Sequence, residues 1–182
     1  AVDNQNSNED ECSFARISTA ISKYWITKRA PYLVFEALEC HGGPGYIEES
    51  IMPRLYREAP LNSIWEGSGN VMCLDVLRAL QRDKNALPAL FRELASAKGS
   101  NKNYDVSFNH LKETLQDPID LEIEARLLTE KMACLIQASI FIKSGEEEKV
   151  SAFCNSRLGP RWSGAFGTLP NDTNFEYIMS GL

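Results

Sequence analysis

GGPGYIEESIMPRLYREAPLNSIWEGSGNVMCLDVLRAL, residues 42–80, carries two glycine-bearing turns in one short run. The first, Gly42-Gly43-Pro44-Gly45-Tyr46, ends a helical pattern. Closely spaced glycines let backbone N–H groups approach an anionic ligand, because no Cβ stands in the way. The second, Trp65-Glu66-Gly67-Ser68-Gly69-Asn70, opens another helical pattern. Amides at a helix N-terminus are a natural seat for phosphate or carboxylate. Each turn also has a plainer account when read alone. The first is a helix stop and reversal, and the second is a cap made by Glu66 and Ser68.

Working outward from this run, the pattern is helical nearly throughout. Upstream, Phe14, Ile17, Ile21, Tyr24 and Trp25 recur at three- and four-residue spacing and predict a helix over 11–28. Pro31 is expected to kink or restart it, with Val34, Phe35 and Leu38 facing inward up to Cys40. Downstream, a short segment over 48–56 precedes Pro60. A helix over 67–81 follows, with Val71, Leu74, Leu77 and Leu80 as its apolar stripe. Further helices are expected over 87–97, over 104–115 through Val106, Phe108, Leu111 and Leu115, and from Asp117-Pro118 to about Lys143. Asp117 suits a cap, Pro118 the first helical position, and Asp120 and Glu122 the positive helix end. The acidic run Glu146–Glu148 reads as a solvated helix start, and after Gly159 the chain turns irregular. There is no repeat and no strand-like alternation. The expectation is an all-α helical bundle with short connections.

Composition limits the function classes. Apolar residues make up 43% and charged residues 24% of 182, so an ordinary core can form. A net charge of −6 disfavours non-specific attraction to nucleic acid or anionic membrane. Five scattered cysteines without a C-x-x-C pair read as reduced, mostly buried thiols. With two histidines, neither beside a cysteine cluster, no metal site is expected. No apolar run approaches the ~20 residues of a membrane span.

Taken together, GG-x-GY, Arg57-Glu58-Ala59 and the aromatic-Glu-Gly-Ser motif at Trp65–Ser68 resemble the C-terminal signature of the acyl-CoA dehydrogenase family in both order and spacing. The wording EES-x-x-PRLYRE and IWEGSGN-x-MCLDVLR is similar to its AidB-like branch. The strong match covers about a fifth of the chain. It implies an acyl-CoA-dehydrogenase-like C-terminal bundle over 1–98, with 99–182 as extra C-terminal helices packed on it.

The resemblance also implies roles. Glu66 matches the family base that removes the α-proton of an acyl-CoA thioester while the β-hydride passes to FAD. That chemistry needs a carboxylate in a dry, apolar site, and Trp65 would supply an apolar wall. Gly67, Ser68 and Asn70 match FAD contacts, where the family usually has Thr and Gln at the last two positions. Gly42 and Gly43 match the turn that approaches FAD of a neighbouring subunit. Arg54 and Arg57 could meet phosphate, although surface ion pairs with Glu49 or Glu58 are the simpler expectation.

The family builds its site from three domains and is usually tetrameric. This chain on its own is therefore expected to be a part of such a protein, in the cytoplasm or mitochondrial matrix, that binds FAD poorly and turns over nothing. The AidB-like branch is also associated with duplex DNA, which makes Arg78, and downstream Arg126, Arg157 and Arg161, candidate contacts. Residues 86–182, with ten Lys/Arg against thirteen Asp/Glu, offer no basic stripe in support. A third possibility is a bundle that serves only as an oligomer interface, through Ile17/Ile21/Tyr24 and Leu127/Leu128/Leu135.

Overall fold

A computed structural model describes residue 3 and residues 8–116, 121–162 and 164–180. Among these the chain is all-helical. In order come α1 (Glu9–Cys40), the single turn α2 (Gly43–Tyr46), α3 (Met52–Glu58), a 3-10 turn (Ala59–Ser63), α4 (Gly69–Arg82) and α5 (Ala86–Ala95). Then follow α6 (Lys102–Gln116), α7 (Leu121–Ser144), α8 (Glu147–Phe153), a π turn (Cys154–Leu158) and α9 (Phe175–Ser180). The Asp117-Pro118 boundary lies outside the described residues.

α1 is the spine. Asn8 caps it, its side chain accepting from the Asp10 amide at 2.9 Å, and Glu9, Asp10 and Glu11 complement the positive end of the helix dipole. Ile17, Ile21 and Tyr24 face the core. Pro31 neither restarts nor ends the helix, which runs on to Cys40. A proline there removes one backbone bond, at about 3 kcal/mol. Packing of α3, the 3-10 turn, α4, α5 and α7 along α1 offsets that loss. The second half of α1 departs from expectation, because Phe35 stays 42% exposed and rests on the Tyr56 ring, centroids 5.8 Å apart.

α4 lies between α1 and α7, so two flanks of it are covered. The buried arc is therefore wide and rotated from the expected stripe. Cys73, Val76, Leu77 and Ala79 are buried, Leu74 and Leu80 are partly so, and Val71 is exposed. On α6 the core takes Tyr104, Phe108 and Leu111, while Val106 faces out. Tyr104 is fully buried, and its hydroxyl donates to the Leu94 carbonyl at 2.7 Å. One apolar cluster joins α1, α4 and α5 to α6, α7 and α8 through Ile21, Val76, Leu90, Phe108, Leu128 and Val150. Of the proposed interface stripes, Ile17, Ile21, Tyr24, Leu128 and Leu135 lie in this chain's own core, and Leu127 is half exposed.

All five cysteines are free. Cys73, Cys134 and Cys154 are buried, and Cys12 and Cys40 are exposed. The segment after Gly159 is irregular until the short α9.

Candidate functional site

The Trp65–Asn70 turn is built on α1. The Lys23 ammonium donates to the backbone carbonyls of Asn62 and Trp65, the latter at 3.0 Å, which ties both ends of the approach to one helix. Gly69, the first residue of α4, is buried. A Cβ there would come 3.2 Å from Lys28 Cε and 3.4 Å from Tyr24 Cε2, so α4 starts in close contact with α1 and a larger residue would require the Lys28 side chain to give way. The Asn70 side-chain oxygen Oδ1 accepts from Arg126 Nε at 3.3 Å, which ties α7 to the same corner.

Between these ties the backbone is strained. Glu66 has φ 57°, the only positive φ among the described non-glycine residues. A side chain in that region costs about 1–3 kcal/mol, and such residues concentrate at functional sites. Gly67 follows at φ 119°, a conformation that glycine alone adopts easily. Ser68 is the N-cap of α4, with an extended backbone, but its hydroxyl makes no capping bond. The first-turn amides of α4 have no intrahelical acceptor, so they remain available to an external one. Trp65 is 63% exposed beside Glu66, itself exposed. The turn thus presents a carboxylate, an aromatic face, a free hydroxyl and a helix N-terminus together.

The structure brings Trp65, Glu66, Gly67, Ser68 and Asn70 to one corner and leaves Gly42 and Gly43 elsewhere. Gly42, with φ 62°, and Gly43 sit at the end of α1, exposed and with open space where a Cβ would point. From Lys23 to Cys40 at this end of α1 is roughly 26 Å at about 1.5 Å per residue. Gly45 is the structural glycine of the pair of turns: a Cβ would lie 2.5 Å from the Leu38 carbonyl oxygen and 2.9 Å from His41 Cβ. Gly45→Ala is expected to cost about 1–3 kcal/mol by overpacking. Urea unfolding of the variant beside the parent chain checks this.

The arginines are accounted for differently. Arg54 pairs with Glu58 at 3.4 Å, as expected. Arg57 takes Glu48 rather than Glu49, in a two-pronged contact at 2.6 and 3.2 Å, and holds that carboxyl below its usual range. Arg78 is exposed on α4. Arg126 is engaged at Asn70, and Arg157 stacks on Trp162 with its guanidinium carbon 4.4 Å from the ring centroid. Among the described residues no group of three or more His, Cys, Asp or Glu could hold a metal, and no helix is long and apolar enough to cross a membrane.

Sequence reading missed Lys23 and the left-handed Glu66. Nothing in the spacing links Lys23 to a turn about forty residues away, and glutamate has no propensity for positive φ.

An all-helical bundle that presents a strained glutamate at the head of a helix defines the class, and comparison with known proteins identifies it. Residues 1–81 match the family described as acyl-CoA dehydrogenase, C-terminal domain. AidB of Escherichia coli is 39% identical over 151 residues, 83% of this chain and 28% of AidB. Acyl-CoA dehydrogenase family member 11 of Caenorhabditis elegans is 34% identical over 113 residues, 62% of this chain and 18% of that protein. In the crystal structure of C. elegans ACDH-11 in complex with C11-CoA, a chain superposes with TM-score 0.75 at 25% identity, covering 84% of this chain and 30% of that one. The chain belongs to the acyl-CoA dehydrogenase family and carries its C-terminal helical domain. Its likeness to AidB runs beyond residue 81 into the later helices. It spans less than a third of the length of these relatives.

Proposed function

We propose that this chain is the flavin-contacting C-terminal portion of an FAD-dependent acyl-CoA dehydrogenase-like oxidoreductase, acting in α,β-dehydrogenation of an acyl-CoA thioester. The observation that carries the reading is Glu66. It is a carboxylate held at φ 57° on an exposed turn, where glycine would be more stable. Strain of this kind persists when the surroundings over-determine it, and the Lys23 tether is what does so here.

The residues present fit FAD. α4 offers an N-terminus without a side-chain cap, so amides and a hydroxyl stand free for an anionic or carbonyl group. Gly67, Ser68 and Asn70 would make those contacts, with Trp65 covering one side. FAD, when bound, supplies the acceptor for the β-hydride. Glu66 takes the α-proton onto its carboxylate, and the Lys23 tether holds the backbone on which that side chain stands. Because Glu66 is exposed in this chain, water exclusion at the carboxylate has to come from other parts of the assembly.

Gly42 and Gly43 lie at the end of α1, well along the helix from the Lys23 tether. They fit a composite site in which each copy lends its α1 end to a neighbour's flavin, as in a homotetramer. In this reading residues 1–98 are the family bundle, 99–182 are an extension packed on it, and five free thiols suit a reducing compartment, cytoplasm or mitochondrial matrix. Duplex DNA binding through Arg78 ranks below this. Arg126 and Arg157 are already engaged within the protein, and the later helices carry more acid than base.

Ser68→Asp tests the cofactor contact. A carboxylate at this N-cap should keep or raise the thermal stability of the chain, since Asp caps well and suits the dipole. In the flavin-loaded protein containing this chain it should repel bound FAD and lower flavin occupancy about tenfold, the weight of ~1.4 kcal/mol. Unchanged flavin absorbance per subunit would remove Ser68 from the site.

A further inference from the structure

Arg126 reaches the corner of the Glu66 turn from outside the stretch that matches the family. That match ends at residue 81, whereas Arg126 stands on α7, 56 positions after Asn70. α4 and α7 pack on one another, with Ala125, Leu128 and Thr129 of α7 buried. Arg126 stays exposed, and its Nε donates to Asn70 Oδ1 at 3.3 Å. Asn70 is the second residue of α4, directly after the closely packed Gly69.

The chemistry of the two groups fixes the sense of this contact. A guanidinium carries donors only, so the Asn70 amide has to turn its oxygen toward Arg126. Oxygen and nitrogen diverge from one planar carbon, so Nδ2 is directed elsewhere. That NH₂ group makes no hydrogen bond to a described residue. The Ser68 hydroxyl, two positions earlier, makes no capping bond either. Two side-chain donors therefore stand open at one helix end.

Stability does not call for a cation here. The N-terminus of a helix is its positive end, which favours carboxylates and disfavours Lys and Arg. A single hydrogen bond between two exposed side chains also adds little to the fold. What the contact supplies is orientation. It keeps the amide from turning over and exchanging its donor for its acceptor.

We propose that Arg126 is a positioning residue for FAD. It holds the Asn70 amide by its oxygen and so presents the NH₂ group to an acceptor atom of FAD. The proposal rests on the flavin reading of the Glu66 turn. It gives the later helices a part in that site beyond packing on the family bundle.

The test is the affinity for FAD of the apoprotein that contains this chain, read from quenching of flavin fluorescence. Arg126→Met keeps an aliphatic stem and removes the donors. Affinity should fall about three- to tenfold, the weight of one net hydrogen bond. Arg126→Lys, whose ammonium can donate to the same oxygen, should recover part of that loss. Asn70→Ala should cost at least as much, and adding Arg126→Met to it should cost nothing further, because Arg126 acts through Asn70. The thermal midpoint of the Arg126→Met apoprotein should stay within about 2 °C of the parent, as for an ordinary surface substitution. A parent apoprotein that takes up no FAD would defeat the flavin reading itself. FAD taken up by the parent with unchanged affinity in Arg126→Met would overturn this proposal alone. So would the same loss from Arg126→Met with and without the Asn70 side chain. A fall in affinity that tracks a large fall in midpoint, unrelieved by Arg126→Lys, would make Arg126 a purely structural residue and overturn it as well.

Discussion

Glu66→Gln, in the flavin-loaded protein that contains this chain, is expected to lower acyl-CoA oxidation by on the order of 10²–10⁴-fold. Glutamine keeps the size and shape of the side chain, so flavin content and fold should not change. What it loses is the oxygen that accepts the α-proton. Glu66→Gly is the complementary variant. It removes the base and also the left-handed side chain at φ 57°, so it should be inactive yet more stable by up to about 1 kcal/mol. Steady-state turnover and denaturant unfolding of the two variants together separate a base from a merely strained residue. A strained residue without a catalytic part would give the stability gain and no loss of rate.

The second large effect concerns the join between the family bundle and the later helices. Leu128 on α7 is almost fully buried in the cluster shared with α1 and α4. Leu128→Ala should therefore cost about 2–5 kcal/mol from lost transfer energy and the cavity left behind. Because that cluster is continuous from Ile17 to Cys154, unfolding should remain one transition, moved as a whole. A calorimetric trace with two separated transitions, only one displaced by the substitution, would mean that 99–182 folds as an independent unit.

How much of this could be read beforehand depended on whether the cause was local. Helical periodicity marked α1, α5, α6 and α7 closely, since a 3.6-residue apolar pattern is a local signal. It failed where neighbours decided the outcome. Pro31 looked like a break, but packing along α1 from α3, the 3-10 turn, α4, α5 and α7 carries the helix through. Val71 looked buried, but α4 turns its Cys73, Val76 and Ala79 arc between α1 and α7 instead. Arg57 was expected near Glu49 or Glu58. The turn before α3 brings Glu48 to it, a matter of backbone path that residue types do not encode.

The candidate site divides in the same way. Trp65, Glu66, Gly67, Ser68 and Asn70 were legible because a motif of fixed order is itself the signal. The strain at Glu66, the Lys23 tether and the Arg126 contact with Asn70 come from tertiary placement, with partners about forty and fifty-six positions away, and no spacing rule reaches that far.

The measurement closest to the central claim is anaerobic addition of an acyl-CoA to the flavin-loaded protein carrying this chain, followed by flavin absorbance. Rapid loss of the oxidised-flavin band in the parent, with the band retained in Glu66→Gln, is the predicted result. Equal bleaching in both, or none in the parent with any acyl-CoA, would contradict the assignment of Glu66 as the base beside a flavin.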